Sequence, residues 1–146
     1  MKIVVDSNLI FSILLKHDGK TAFYYFPLKK NHQLYISDYT FEEITKHTAR
    51  LIRISKLSLL EFETQKFRLL QNVQVVPVSI LPNQLIEKAY ELVRDIDLDD
   101  LPFIATTLFI NGILWTGDRA LIRGLHKKNF KNIVDTEFIK NIKMSL

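Results

Sequence analysis

The chain has 146 residues, of which 47% are hydrophobic and 25% are charged, a composition typical of a soluble globular protein. It has no cysteine, which excludes a disulfide scaffold, a thiolate zinc site and a cysteine nucleophile. The formal net charge of +4 is mildly basic and favours, without identifying, a polyanionic partner. No apolar run reaches the roughly 18 residues of a membrane-spanning helix. Asp6, Ser7 and Asn8 interrupt the apolar start, which argues against a signal peptide. We therefore expect one cytoplasmic domain over residues 1–146, with no membrane partner.

Five short runs rich in β-branched residues predict strands. They are residues 2–5, 34–36, 73–78, 113–115 and 132–134. None alternates cleanly between polar and apolar residues. Continuous apolar runs of this kind are typical of strands covered on both faces, as in a parallel sheet.

Helical patterns lie between these strands. They are residues 7–15, 21–30, 38–53, 56–70, 82–93, 101–110, 118–125 and 136–142. Strands that alternate with helices predict a three-layer α/β/α fold with a central parallel sheet of about five strands.

Acidic residues follow the predicted strands at two places. Asp6 comes directly after the first strand, and Asp118 follows the fourth. In an open α/β sheet, the ligand crevice lies at the carboxyl ends of the strands. Further acids lie near helix starts: Asp95, Asp97, Asp99 and Asp100 before the fourth strand, and Glu42 and Glu43 after the second.

Each of these acids also has a structural interpretation. Asp6, Asp100 and Asp118 could act as helix N-caps. Residues 40–43 match a capping box, in which Glu43 would reach back to the Thr40 amide. If the first and fourth strands are neighbours, however, three or four carboxylates converge, and their mutual repulsion is relieved by a cation. A site whose ligands are all carboxylate oxygens suits Mg²⁺ or Mn²⁺.

Four segments carry a resemblance to a known family. They are Val4-Val5-Asp6-Ser7-Asn8, Phe41-Glu42-Glu43-Ile44, Asp97-Leu98-Asp99-Asp100-Leu101-Pro102 and Trp115-Thr116-Gly117-Asp118. In this order, each at its place in the βα pattern, they resemble the motifs of the PIN domain. That metal-dependent nuclease fold includes many toxins of bacterial and archaeal toxin–antitoxin pairs.

The resemblance implies a sheet order of 3-2-1-4-5, RNA as substrate and a small antitoxin protein as partner. It also implies that Asp6, Asp100 and Asp118 bind the metal and that Glu43, rather than Glu42, completes the catalytic set. Asp97 and Asp99 would be accessory acids. The acids are doubled at 42/43 and 99/100, so either member of each pair could be the ligand.

Other polar residues have expected roles beside this acid set. Asn8 and Thr116 would orient Asp6 and Asp118. Lys46 and Arg50 fall on the helix face of Glu43 and, with Arg119, would contact phosphates of the nucleic acid. The alternative for the helix is a solvated face on which glutamate and lysine pair locally.

The predicted helix over residues 56–70 is more apolar than one buried stripe requires. Its apolar residues are Leu57, Leu59, Leu60, Phe62, Phe67, Leu69 and Leu70. This excess predicts a homodimer or antitoxin interface.

Two other enzyme classes and one non-enzymatic function are alternatives to a nuclease. A receiver domain would need an acidic pair after the first strand, and a dehalogenase-type phosphatase would need Asp-x-Asp where Asp6-Ser7-Asn8 stands. The non-enzymatic alternative is an inactive PIN-like scaffold that binds RNA or protein without cutting.

Overall fold

Five parallel strands form the centre of the computed structural model, which describes residues 1–145 and the side chains of residues 1–142. The strands are β1 (Lys2–Val5), β2 (Gln33–Ser37), β3 (Gln74–Val76), β4 (Ile113–Trp115) and β5 (Ile133–Val134). Their order is β3-β2-β1-β4-β5, so the predicted three-layer fold and strand order are confirmed. This order makes β1 and β4 direct neighbours.

Helices cover both faces of the sheet. In the described part of the chain they are α1 (Ser7–Leu15), α2 (Lys20–Asn31), α3 (Asp38–Lys46), α4 (Thr48–Ser55), α5 (Leu59–Leu70), α6 (Asn83–Val93), α7 (Leu101–Ile110), α8 (Arg119–Lys127) and α9 (Thr136–Ser145). Helices α1 to α5 and α9 pack on one face, and α6, α7 and α8 pack on the other. Short 3₁₀ turns span Val78–Ile80 and Leu98–Asp100.

The central strand explains why its sequence is continuously apolar. Side chains alternate between the two faces of a strand. Ile3 and Val5 belong to the core under α1, whereas Val4 belongs to the core under α7, and all three are fully buried. Both faces of β1 are therefore dry, and a polar residue at any of these positions would lose its water without gaining a partner.

The prediction of a single helix over residues 38–53 is wrong. The chain forms two helices there, α3 and α4, which are separated at His47 (φ −105°, ψ 13°). Backbone hydrogen bonds meet at the break, because the His47 amide donates to Glu43 O and the His47 carbonyl accepts from the Leu51 amide. The Thr48 hydroxyl donates to Ile44 O at 2.8 Å. The predicted helix over 56–70 begins later, at Leu59, because Ser58 forms a capping box with Glu61. The predicted strand over 73–78 is shorter, and the other predicted bounds agree within three residues.

Helix α5 carries the apolar surface that its sequence predicts. Phe62 and Leu69 are fully buried, whereas Leu59, Leu60 and Phe67 are 62%, 77% and 66% exposed. Burial alone accounts for only one face of this helix. Within residues 1–145, no helix is both long enough and apolar enough to cross a membrane.

Candidate active site

Strands β1 and β4 deliver two of the predicted acids to the same place. Val5 pairs with Trp115, and the Asp6 amide donates a hydrogen bond of 3.0 Å to the Trp115 carbonyl. The residues that follow are therefore side by side. The Thr116 hydroxyl donates to Asp6 Oδ2 at 2.6 Å and accepts from the Asp118 amide at 3.1 Å. Thr116 is fully buried, and its hydroxyl bonds to both Asp6 and Asp118, the two acids that it is expected to orient.

Asp118 acts as a cap and lines the site as well. Its Oδ1 accepts a hydrogen bond of 3.0 Å from the Leu121 amide, so the predicted N-cap of α8 is confirmed. The same side chain also lines the cavity described below. Oδ1 of Asp118 caps α8, and this hydrogen bond holds the side chain in place. The second carboxylate oxygen is not used by the cap.

The other structural interpretations of the acids are wrong. Asp6 and Asp100 occupy N-cap positions, but neither side chain makes a capping hydrogen bond. The capping box of Thr40 and Glu43 is also absent, because α3 begins earlier, with Ser37 accepting from the Tyr39 amide. Thr40 is instead buried within α3, with its Oγ1 2.7 Å from Ser7 Oγ. Glu43 and Asp100 are therefore free of any capping role.

A polar cavity of about 200 Å³ lies at the carboxyl ends of β1 and β4. It is lined by Asp6, Ser7, Asn8, Tyr39, Glu43, Asp97, Asp99, Asp100, Phe103 and Asp118. All four predicted catalytic acids line it, as do the predicted accessory residues Asn8, Asp97 and Asp99. Thr116 lies behind it, through Asp6. We call this space the acid cavity.

Two aromatic residues in the acid cavity were not predicted. Tyr39 and Phe103 line it, and their rings meet edge to face. Tyr39 lies four residues before Glu43 on α3, and helical residues at that spacing share a face. This spacing is the signal that could have placed Tyr39 in the site.

Asp100 has the most unusual carboxylate in the cavity. Its Oδ2 atom is buried and has no hydrogen-bond partner among the described residues. Burial, followed by the charges of Asp6, Asp97, Asp118 and Asp99, raises the pKa of Asp100 to about 7. The unpaired oxygen therefore lies where negative charge from several directions is already concentrated.

Burial and neighbouring carboxylates also raise the pKa values of two other acids in the cavity, Asp6 and Glu43. Burial raises the pKa of Asp6, with a further increase from Asp118, while the Thr116 hydroxyl opposes that shift. Burial also raises the pKa of Glu43, as do the charges of Asp99 and Asp6. These acids form one electrostatic cluster, which an added cation would stabilise.

This cluster predicts how stability depends on pH when divalent ions are chelated. Because the folded pKa of Asp100, about 7, exceeds its ordinary value of 3.8, the folded state binds more protons between those values, and stability falls as pH rises through that window. The substitution D100N removes this titration. The melting temperature of D100N relative to the unsubstituted protein should therefore increase as the pH is raised from about 4 to about 7. Thermal melts in EDTA across this range measure the difference, and a difference independent of pH would contradict the prediction.

The threonine behind the cavity gives a second prediction. In T116V, Asp6 Oδ2 loses its donor and the Asp118 amide loses its acceptor, so both acids are released from their positions. Cleavage activity should fall by about 10- to 100-fold, the usual effect of removing a group that orients a metal ligand. T116S retains the hydroxyl and should keep most activity. Rates and melting curves on both variants separate misplaced acids from unfolding, and equal activity in T116V and T116S would rule out the positioning role.

The predicted nucleic-acid-binding residues lie beside the acid cavity. Lys46, Arg50 and Arg119 are exposed, and none forms an ion pair within the side chains of residues 1–142. The alternative of local glutamate–lysine pairing on this helix is therefore not realised as a direct ion pair among the described side chains. Lys46 is close enough to Glu43 to lower its pKa. Arg119 directly follows Asp118, at the start of α8.

A second groove, of about 180 Å³, shares Glu43 with the acid cavity. Its other lining residues are Phe11, Leu15, His47, Arg50, Leu51 and Ile54. The break at His47 thus leaves Glu43, His47 and Arg50 on one side of the molecule. Of the three predicted phosphate-binding residues, Arg50 lines this groove, and its lining apart from Glu43, His47 and Arg50 is apolar.

Comparison with protein families now decides the relationship. A family model described as PIN domain matches residues 4–137. The chain belongs to the PIN domain family. Comparison with curated protein sequences gives no significant match.

Two solved structures show that the PIN fold extends over nearly the whole chain. One is VapBC2 from Rickettsia felis, whose crystal structure was determined bound to a DNA fragment from its promoter. A chain of that structure superposes with a TM-score of 0.67 at 16% identity, and the match covers 92% of this chain and 97% of that one. PAE2754 from Pyrobaculum aerophilum superposes with a TM-score of 0.64 at 14% identity, and the match covers 100% of this chain and 97% of that one. At these identities the likeness is one of fold.

Proposed function

We propose that this PIN domain is a divalent-metal-dependent ribonuclease that hydrolyses phosphodiester bonds within RNA, and that it is the toxin of a toxin–antitoxin pair. The observation that carries the proposal is the buried, unpartnered Oδ2 of Asp100 among several acids that raise its pKa. A buried polar atom without a partner is costly, and a site that retains one usually serves a ligand. PIN domains are generally nucleases, which agrees with this interpretation.

The residues present fit Mg²⁺ or Mn²⁺. Asp6, Asp100 and Asp118 would hold the ion, because they offer carboxylate oxygens alone in a cavity where no thiol is available. No group of three His, Cys, Asp or Glu side chains is already arranged as a full ligand set in the described part of the chain. Mg²⁺ keeps several water ligands and needs only one or two direct carboxylates, so the acid cavity suits it without such a set.

Each protein group then has a defined task. A bound divalent ion supplies charge neutralisation at the phosphate and lowers the pKa of water. Thr116 holds Asp6 in position through the bond at 2.6 Å. Glu43, whose pKa is raised, lies where it can accept a proton from the attacking water or bind a second ion. Asn8, Asp97 and Asp99 line the same cavity as accessory polar groups.

The substrate must bring its backbone to a cavity that is itself negative. Lys46, Arg50 and Arg119 flank the acids and are not paired with other side chains of residues 1–142, so they are available to phosphates on either side of the scissile bond. Contacts to phosphate position a nucleic acid without reading its sequence.

The partners follow from the surfaces and from the comparison. The VapBC2 likeness supports a small antitoxin protein as partner. The exposed Leu59, Leu60 and Phe67 of α5 supply an apolar surface suited to a homodimer. Both the toxin and its RNA substrate would act in the cytoplasm.

A cleavage assay on purified protein tests the proposal. End-labelled single-stranded RNA should be cut internally with Mg²⁺ or Mn²⁺ and remain intact with EDTA, and D6N should be inactive. The amide oxygen that D6N introduces can still accept from Thr116, and the substitution removes a buried charge, so D6N should melt at an equal or higher temperature than the unsubstituted protein. Mg²⁺ should raise the melting temperature of the unsubstituted protein, and less so that of D6N.

The same assay distinguishes the non-enzymatic alternative. An inactive scaffold would bind RNA in a gel-shift measurement but leave it uncut with either ion. Full cleavage by D6N would place the chemistry outside the acid cavity. End-labelled products that shorten one nucleotide at a time would replace internal cleavage by exonuclease action.

A further inference from the structure

Tyr39 is an aromatic residue in a cavity otherwise dominated by carboxylates. It lies on α3, one turn before Glu43, and lines the acid cavity. It is partly buried and packs against the core under α7. The contact with Phe103 is edge to face, with ring centroids 6.2 Å apart and an interplanar angle of 69°. Phe103 is itself buried, so it holds the Tyr39 ring in a fixed plane.

The hydroxyl of Tyr39 has no structural task that explains it. Among the described side chains, none forms a hydrogen bond with it. The hydroxyl is also not among the buried atoms without a partner, so water can reach it and no contact within residues 1–142 requires it. The carboxylate of Glu43 is the main cause of a raised pKa at Tyr39, so the ring stays neutral at physiological pH. Tyr39 therefore offers a neutral aromatic surface at the edge of a negative cavity.

We propose that Tyr39, held by Phe103, is the stacking platform for one base of the bound RNA next to the acid cavity. The inference rests on the proposed nuclease function and adds to it how the substrate is oriented. The acids repel every phosphate that is not neutralised, so basic residues and an ion hold the strand through its backbone and make no contact with its bases. Stacking holds a nucleotide through its base, independently of charge and with little preference for sequence.

The size of the effect follows from the usual strength of base stacking. Loss of one base–aromatic stack weakens single-strand binding by about 5- to 150-fold. Tyr39 and Glu43 share a helix, and Phe103 lies three residues after Asp100. A base seated on Tyr39 would thus be positioned relative to two of the catalytic acids, and its loss should reduce both binding and the rate of cleavage.

The experiment combines protein variants with substrates that lack single bases. Y39F keeps the ring, Y39L removes it, and F41L removes an exposed aromatic residue of the same helix that lies outside the acid cavity. An RNA oligonucleotide that the unsubstituted protein cleaves is prepared with one abasic nucleotide at each position in turn. kcat/KM is measured for every pair, with melting temperatures to exclude unfolding.

The expected result is a specific coupling between ring and base. For the unsubstituted protein, Y39F and F41L, one abasic position should reduce kcat/KM by about 5- to 150-fold. Y39L should show that reduction on intact RNA and no further loss at the same abasic position. An undiminished abasic penalty in Y39L would overturn the proposal, and so would Y39F losing as much as Y39L, since the hydroxyl would then be the active part. The abasic scan of the unsubstituted protein needs no variant, and the absence of any sensitive position also overturns it.

Failure of the nuclease function is recognised separately. If the unsubstituted protein does not cut RNA, binding of the same oligonucleotides is followed by fluorescence anisotropy in Mg²⁺. Weaker binding by Y39L but not by F41L then supports the stacking platform in a non-cleaving RNA-binding protein. Equal binding by Y39L and F41L, or no RNA binding at all, overturns it.

Discussion

D100N should abolish metal-dependent cleavage and, in EDTA near neutral pH, raise the melting temperature. The carboxylate of Asp100 has one buried oxygen without a partner and a pKa raised to about 7 by burial and by four neighbouring acids. Removing its charge relieves repulsion in the metal-free protein and removes a ligand from the loaded one. We expect the rate to fall by more than about 100-fold, beyond the effect of losing a merely orienting group.

The matched control is D99N, one residue away. Asp99 is exposed, and its backbone amide, which the substitution leaves intact, is what bonds to Asp97 Oδ1. D99N should therefore keep cleavage within a few-fold and change the melting temperature little. Cleavage rates and melting curves for both variants, with and without Mg²⁺, decide between the two acids. Inactive D99N together with active D100N would transfer the ligand role to Asp99.

E43Q should lower cleavage by more than about 100-fold, an effect within the usual range for losing a general base. The side chain of Glu43 lines both the acid cavity and the neighbouring groove, and burial is the main cause of its raised pKa. Because Ser37, and not Thr40, caps α3, glutamine at position 43 breaks no capping interaction. The melting temperature should stay nearly unchanged or rise.

Here the doubled acid again supplies the control. Glu42 is exposed and lines neither cavity, so E42Q should cleave at close to the normal rate. Single-turnover rates at saturating RNA compare the two variants without interference from binding. If E42Q is the inactive variant, Glu43 is not the catalytic acid, and Lys46 and Arg50 on its helix face lose their connection with the reaction.

The sequence predicted the strands, and with them the positions of the acids, because short β-branched runs bounded by polar turns leave few alternatives. Asp6 and Asp118 follow strands by simple adjacency. That β1 and β4 are neighbours, however, came from the family resemblance, since nothing in periodicity specifies strand order. The confirmed order then explains why acids 112 positions apart line one cavity (118 − 6 = 112).

Other features could not be predicted, because they depend on atomic packing. The break at His47 is a change of backbone angles at one residue, and hydrophobic spacing alone does not show it. The bond from Thr116 to Asp6 joins the residues that directly follow two strands, and only the fold defines the register of those strands. The same capping-box spacing occurs at Thr40 and Glu43 and at Ser58 and Glu61, but only the second pair forms a box, because Thr40 is buried against Ser7.

The position of β4 beside β1 also has a consequence for translation. During synthesis, β1 can pair with β2 after residue 37, but its other edge remains open until β4 has been made, at residue 115. Domains acquire long-range pairings only when the distant segment is available. A ribosome that has not passed Asp118 therefore carries a chain without the assembled acid cavity. On the proposed function, a nascent chain that ends before Asp118 cannot cleave the messenger RNA from which it is being made.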